Sequence, residues 1–370
     1  MDKEVITTRV GIVGAGPAGL MLSHLLAKEG VDNVVIDIRE RDVIAHTHRA
    51  GILEAGSVRM LTETGVGGRV LTEGYEHSGI YLRFDGVSHH IDFKRLVGQT
   101  VTLYPQNEVF VDLANARERD GGDVRFGVSD TEVTGIDGDN PVISFTDSEG
   151  RSCEIHCEIV IGADGSRSQC RNLIPEELRT KHTKRYPFAW FGILCEAPFS
   201  SDELIYCRSD LGFALISQRT ETVQRMYFQC DPETKVEDWD DEQIWDHLDA
   251  IVAGPDGFTL KRGPIFEKTL LPFRSFVQTP MQHGRLSMIW MTSSMRAGSW
   301  PTSVRIWWAS FAPSFSCSST RSGRDDPGAM PSRISSAGTF DQPMSCSRIA
   351  GRTTSGSASG VHASRARPRP

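Results

Sequence analysis

This 370-residue sequence lacks the features that mark membrane proteins, secreted proteins and nucleic-acid binders. No stretch reaches the roughly 18 consecutive apolar residues of a membrane-spanning helix, and the charged N-terminus does not have the layout of a signal peptide. With 40 Lys and Arg against 48 Asp and Glu, the net charge of -8 offers no concentrated positive face for phosphates. We therefore expect a cytoplasmic protein that binds neither nucleic acid nor membrane.

Cysteines with metal-ligand spacing are also scarce. Of the eight cysteines, only Cys153 and Cys157 lie close together, and their CxxxC spacing has no second half. The sequence therefore predicts no metal site, and the scattered thiols fit a reducing compartment.

Residues 287–370 contain no leucine, lysine or glutamate. They hold 20 Ser, 10 Arg and 3 Asp, so this segment carries a net charge of +7 although the whole chain carries -8. Leucine is among the commonest core-forming residues, and a folded segment of this length without it is not expected. The chain therefore joins two different compositions.

The N-terminal forty residues carry a nucleotide-binding pattern. An apolar strand, RVGIV, precedes the glycines of a G-x-G-x-x-G sequence, Gly14, Gly16 and Gly19, and an amphipathic helix follows them. A second strand closes with Asp37, where a ribose-binding acid is expected. Glycines permit close backbone approach to a pyrophosphate at a helix N-terminus. Strand, glycines, helix, second strand and acid follow one another at the spacing of a dinucleotide-binding motif. This favours a dinucleotide site over a glycine-rich turn without a ligand.

Two further segments could contact such a cofactor. The strand that begins IVIG leads to Asp164, and a carboxylate at the end of a parallel strand lies where ligands bind in α/β sheets. Arg49 could neutralise a phosphate or could equally be a surface arginine. After it, Ile52, Leu53 and Val58 follow a helical period and predict a helix.

Beyond Pro187 the apolar period changes from 3.6 towards 2, which predicts a hairpin sheet. Alternation places Ser217 and Arg219 on one face of a strand, and Arg225 and Tyr227 on one face of the next. Pairing of the two strands can bring these side chains together as a pocket for an aromatic anion. A solvated sheet face with ordinary arginines is the alternative.

Several of these segments resemble the 4-hydroxybenzoate 3-monooxygenase (p-hydroxybenzoate hydroxylase) family of class A FAD-dependent aromatic hydroxylases. The shared segments run from about residue 8 to 286 and include GAGPAG, HRAGILE, GADG, RYPFAWFGIL, ELIY, GFALISQR, LPFRSFV and MQHGRL. The resemblance implies FAD as cofactor, NADPH or NADH as co-substrate, dioxygen, and a small aromatic carboxylate as substrate. The family tends to be dimeric, through surfaces that this chain retains only in part.

The resemblance also implies a role for each matching position. For the cofactors these are Gly14, Gly16 and Gly19 at the FAD pyrophosphate, Asp37 at the ribose, Arg49 and Gln106 along the FAD, Asp164 at both FAD and the nicotinamide nucleotide, and Arg274 at the NADPH groove. For the substrate they are Ser217, Arg219 and Tyr227 at the carboxylate, Arg225 near the flavin, and Tyr206 as the catalytic partner of the phenol oxygen.

The implied reaction is hydroxylation of 4-hydroxybenzoate to 3,4-dihydroxybenzoate through a flavin C4a-hydroperoxide. That attack needs an electron-rich ring, so Tyr206 suits a role as acceptor and relay of the phenol proton. A bidentate arginine–carboxylate pair at Arg219 would set both distance and orientation.

The expected fold is α/β, with a mainly antiparallel β-sheet inserted into a Rossmann-like FAD-binding domain. The FAD-binding domain is predicted over residues 1–180, with β insertions around 75–105, and the substrate-binding sheet over 181–280. Residues 281–286 return to the FAD-binding domain, and 287–370 form an irregular tail.

The resemblance stops between Leu286 and Ser287. There the family continues into a Gly-Asp dipeptide that meets the flavin, whereas this chain reads SMIWMTSS. A frameshift or chimeric join would produce such a tail, and a disordered regulatory tail is the alternative, although its four tryptophans fit disorder poorly. We therefore expect weak or absent FAD binding. Two alternatives compete with the hydroxylase function: a flavin-dependent reductase of the same fold, and a non-catalytic, truncated or frameshifted protein.

Overall fold

The computed structural model of the protein describes residues 3–47 and 51–289. The strands, in chain order, are β1 (Glu4–Thr7), β2 (Val10–Val13), β3 (Asn33–Asp37), β4 (Ile52–Glu54), β5 (Tyr75–His77), β6 (Gly79–Phe84), β7 (Val87–Asp92), β8 (Val101–Leu103), β9 (Asp123–Phe126), β10 (Ser129–Thr134), β11 (Val142–Thr146), β12 (Ser152–His156), β13 (Ile159–Gly162), β14 (Thr180–Glu196), β15 (Ile205–Ser209), β16 (Gly212–Gln218), β17 (Val223–Cys230), β18 (Ile265–Thr279), β19 (Gln282–His283) and β20 (Leu286–Met288). The α-helices are α1 (Pro17–Lys28), α2 (Arg41–Ala45), α3 (Ala55–Glu63), α4 (Gly68–Glu73), α5 (Phe93–Val97), α6 (Gln106–Arg119) and α7 (Asp241–Val252).

A six-stranded sheet in the order β19-β20-β13-β2-β3-β9 forms the nucleotide-binding part of the fold. All neighbours pair in parallel except β19 and β20. The central strands β2, β3 and β13 are buried along their whole length, as the apolar runs within them predict. Helix α1 packs against this sheet and against α6. The predicted Rossmann-like α/β fold is confirmed.

The predicted second sheet is also confirmed. It has seven strands in the order β18-β14-β17-β16-β15-β6-β7, and all pairs are antiparallel except β15 with β6. Apolar side chains on one face pack against α7 as a core that contains Phe191, Phe228 and Trp245. The opposite face carries a smaller apolar cluster, against which Trp190, Tyr206, Phe213 and Tyr227 pack.

Two smaller sheets complete the described part of the chain, one in the order β1-β12-β11-β10 and one in the order β4-β8-β5. The β4-β8-β5 sheet contradicts one expectation from the sequence. Ile52 and Leu53 do not open a helix, because they pair with Leu103 and Thr102 as strand β4. Helix α3 begins only at Ala55.

Helix α7 begins with a capping box. The Asp240 side chain accepts the backbone N–H of Gln243 at 2.8 Å, and the Gln243 side chain accepts the N–H of Asp240 at 3.0 Å. We expect Asp240→Ala to lower the free energy of unfolding by about 1 kcal/mol, since the N–H of Gln243 loses its acceptor at the helix N-terminus. Urea unfolding measures this, with Asp238→Ala outside the helix as a control. An unchanged midpoint would contradict the prediction.

Arg49 and the tail beyond Ile289 lie outside the described residues. No helix in the described part of the chain combines the length and the apolarity needed to cross a bilayer.

Candidate functional site

The two glycine-containing turns lie side by side at the carboxyl ends of β2 and β13. These strands pair in parallel, and the N–H of Ala163 donates to the carbonyl of Val13 at 2.7 Å. Gly14 has a φ of 112°, and a Cβ added there would lie 2.4 Å from the carbonyl oxygen of Ala163. Only glycine fits this contact. The fold thereby brings Gly14 next to Asp164.

The other two glycines of the motif serve different purposes. A Cβ on Gly19 would lie 1.9 Å from the carbonyl oxygen of Gly14, so Gly19 lets α1 pack closely against the turn. A Cβ on Gly16, at the N-cap of α1, would have no neighbour within 4 Å in the described chain. Gly16 thus borders open space at a helix N-terminus, where unpaired N–H groups and the helix dipole favour an anion.

Asp37 lies at the end of β3 and is 5% exposed. Its Oδ2 accepts the N–H of Ala15 at 2.9 Å, so the carboxylate holds the glycine-rich turn in place. Both oxygens also accept from the Arg39 side chain at 3.0 Å. A ribose bound here would share this carboxylate with Arg39.

Asp164 contributes one free acceptor. Its Oδ2 accepts the backbone N–H groups of Gln169 and Cys170 at 2.7 and 3.1 Å. No donor among the described residues reaches its Oδ1, although that atom is shielded from solvent. A buried acceptor without a donor is costly, and a ligand hydroxyl could satisfy it. Its carboxylate also raises the pKa of the Cys170 thiol, adding to the larger effect of burial.

Arg274 lies on the exposed part of β18, directly opposite Arg185 on β14. Burial is the main cause of a lowered pKa at the Arg171 guanidinium, and Arg274 lies near enough to lower it further. Arg171 stacks over Phe276, with Cζ 4.6 Å from the ring centroid. Arg274 therefore lies near Arg171, which is also close enough to Asp164 for that carboxylate to raise the pKa of the Arg171 guanidinium.

The hairpin register brings the four predicted substrate residues to one face. Ser217 pairs with Arg225, and Leu215 pairs with Tyr227, so their side chains point to the same side. The Ser217 hydroxyl donates to the carbonyl of Arg225 at 2.9 Å. The Arg225 guanidinium lies 5.1 Å from the centre of the Tyr227 ring.

Arg219 is part of the same group and is largely removed from water. Burial lowers the pKa of its guanidinium, and the nearby Arg225 lowers it further, while Tyr227 and Glu267 act in the opposite direction. Burial likewise raises the pKa of Tyr227, against the effect of the two arginines. A partly desolvated guanidinium with a second one close by favours an anionic ligand.

Aromatic side chains surround these polar groups. Trp190 lies 5.0 Å from Tyr227 and 6.0 Å from Phe213, and Phe213 lies 6.0 Å from Tyr206 (all between ring centroids). Tyr206 and Tyr227 both pair with Leu215, from opposite sides of β16. Their strands are therefore about 10 Å apart. The face combines cations, hydroxyls and flat apolar rings.

The N-terminus of α6 reaches this face. Gln106 is its first residue, and the next residue, Asn107, accepts a hydrogen bond from Arg219 at 3.0 Å. The helix that carries a predicted FAD-side residue thus touches a predicted substrate residue. The sequence interpretation did not single out Asn107 or Trp190, because both contacts join distant parts of the chain.

A glycine-rich turn on a parallel sheet, joined to a sheet face that suits an aromatic anion, defines an FAD-dependent oxygenase type of protein. The FAD binding domain family model matches residues 7–289. The chain belongs to the class A FAD-dependent aromatic hydroxylases, and it is 38% identical over 284 residues to a p-hydroxybenzoate hydroxylase of Acinetobacter baylyi. That match covers 76% of this chain and 70% of the relative.

Other relatives match in shorter segments or in fold alone. The pentachlorophenol 4-monooxygenase of Sphingobium chlorophenolicum is 29% identical over 174 residues, which is 44% of this chain and 31% of that protein. The crystal structure of p-nitrophenol 4-monooxygenase PnpA from Pseudomonas putida DLL-E4 has a TM-score of 0.66 at 16% identity, covering 77% of this chain and 72% of that one. FAD and an NAD(P)H co-substrate are typical of this family.

Proposed function

We propose that this chain hydroxylates 4-hydroxybenzoate to 3,4-dihydroxybenzoate, using NAD(P)H and dioxygen. The observation that carries the proposal is the grouping of Ser217, Arg219, Arg225 and Tyr227 on one aromatic-lined face. A carboxylate would compensate the partly desolvated Arg219 guanidinium and its neighbour Arg225, and a benzoate ring would cover Trp190 and Phe213. The relative named p-hydroxybenzoate hydroxylase supports this choice of substrate.

The residues at the glycine-rich turn fit FAD. The space beside Gly16 would take the pyrophosphate, and the buried Oδ1 of Asp164 would accept from the cofactor. Asp37, at the end of β3, would accept from the adenosine ribose. FAD, when bound and reduced by the nicotinamide, supplies the activation of dioxygen.

The chain's own residues position and activate the substrate. Arg219 fixes the carboxylate end of the ring. Tyr206, two strands from Tyr227, accepts the phenol proton at the far end while its own hydroxyl proton passes on to solvent. Removing that proton makes the ring electron-rich at the carbon ortho to the oxygen. The surrounding aromatic rings keep water from the reacting carbon.

The test is turnover by the full chain with added FAD, NADPH or NADH, and 4-hydroxybenzoate. We expect 3,4-dihydroxybenzoate by chromatography, at a rate limited by weak FAD binding. NADPH oxidation without formation of 3,4-dihydroxybenzoate would favour a reductase. No FAD binding at all would favour a non-catalytic, truncated or frameshifted protein. A yellow protein with one FAD per chain after purification would contradict the expected weak binding.

A further inference from the structure

Arg219 is held by a residue from another element. Its Nη2 donates to the Oδ1 of Asn107 at 3.0 Å, across 112 positions of sequence. Asn107 lies in the first turn of α6, and its own Nδ2 donates to the Oε1 of Glu108 at 2.9 Å. The Asn107 amide is therefore oriented from both ends, with its oxygen towards the arginine.

The far side of this contact is fixed by an ion-pair network. The Oε2 of Glu108 accepts from Arg69 on α4 at 2.8 Å. Arg69 also donates to Asp112 at 2.9 Å, and Asp112 accepts the Tyr104 hydroxyl at 2.6 Å. Asn107 thus connects the Arg219 side chain by hydrogen bonds to the ion-pair network between α4 and α6.

The acceptor on α6 is a neutral amide, whereas Arg83 and Arg125 are paired with carboxylates. Arg83 pairs with Asp256 at 2.6 Å, and Arg125 pairs with Glu4 at 2.9 Å. At Arg219 the helix supplies an amide oxygen at hydrogen-bond distance, while Glu267 and Glu108 act on it electrostatically. An amide oxygen orients a guanidinium but, unlike a carboxylate at the same place, adds no negative charge that a ligand carboxylate would have to displace.

We propose that Asn107 is a positioning residue that orients Arg219 and makes the site select carboxylate over neutral ring substituents. This inference rests on the proposed function, in which Arg219 binds the substrate carboxylate. The predicted consequence is specific: an aspartate at position 107 would compete with the substrate for the guanidinium.

The experiment measures dissociation constants of 4-hydroxybenzoate and its neutral analogue 4-hydroxybenzamide by titration calorimetry on the full chain with FAD added. We expect Asn107→Asp to weaken benzoate binding about 100-fold and Asn107→Ala about tenfold. Amide binding should change less than about twofold in Asn107→Asp, because an ion pair at Arg219 does not affect a neutral group. An acid near a helix N-terminus is tolerated, so Asn107→Asp should fold.

A matched control lies on the same helix. Asn115 is exposed and also accepts a hydrogen bond from an arginine, Arg41. Asn115→Asp should leave both dissociation constants unchanged. Equal weakening of both ligands, or unchanged benzoate affinity, in either Asn107→Asp or Asn107→Ala would overturn the role of Asn107.

Failure of the proposed function gives a different result. A wild-type chain that binds no 4-hydroxybenzoate overturns both proposals. A wild-type chain that binds it, loses it on Arg219→Ala and keeps it on Asn107→Asp overturns only the role of Asn107.

Discussion

Arg219→Ala is expected to weaken 4-hydroxybenzoate binding by about 30- to 1,000-fold. Removing one partner of a desolvated charge pair typically costs about 2–4 kcal/mol, which converts to that range. The loss should be confined to ligands with a carboxylate, since the aromatic contacts of Trp190 and Phe213 remain. Titration with 4-hydroxybenzoate and with 4-hydroxybenzamide measures the difference.

The stability of this variant should not fall with its affinity. Burial and the neighbouring Arg225 both disfavour the charged form of Arg219, as the direction of its pKa shift indicates. Its removal therefore relieves repulsion in the folded state. Arg219→Lys should recover part of the affinity but not all, because an ammonium group lacks the planar fork.

Arg208→Ala, which removes an exposed arginine from the neighbouring strand β15, is the control. Binding of 4-hydroxybenzoate by this control should equal that of wild type. Retention of full affinity in Arg219→Ala would place the carboxylate elsewhere.

Gly19→Ala is expected to lower the stability of the fold, whereas Gly16→Ala is expected to lower cofactor affinity and to leave the fold stable. Gly19→Ala places a Cβ 1.9 Å from a backbone oxygen, and we expect a loss of about 3–5 kcal/mol in the free energy of unfolding. Gly16→Ala meets no atom within 4 Å in the described chain, so the fold should tolerate it. A pyrophosphate at that place would clash with the new methyl group, and FAD affinity should fall at least about tenfold.

Thermal unfolding without ligand, and again with increasing FAD, separates these two effects. Wild type should gain stability with FAD by mass action, and Gly16→Ala should gain much less from the same starting midpoint. Equal stabilisation of wild type and Gly16→Ala would mean that no cofactor phosphate lies beside Gly16.

The elements with strong local patterns were predictable from sequence. The strand, glycine turn and helix at residues 10–28, the acid that ends β3, and the alternation of β16 and β17 are all present in the structure. The roles assigned to the predicted site residues, Tyr206, Gln106 and Arg274 among them, all stay predictions, and Arg49 lies outside the described residues.

Local pattern failed where pairing with a distant strand decided the conformation. Ile52 and Leu53 have a helical period, yet hydrogen bonding to β8 makes them a strand. Short apolar runs fit either element, so tertiary context determines the outcome.

The sequence alone determined the glycine-rich turn, the charges and aromatic residues available, and the face on which each strand residue lies, because these follow from local geometry with periods of 2 and 3.6. Only the tertiary structure decided that Gly14 meets Ala163 and that Arg219 meets Asn107. Those contacts depend on which strands become neighbours and where α6 begins in space. Sheet order and helix packing result from burial summed over the whole fold, and no local spacing records them.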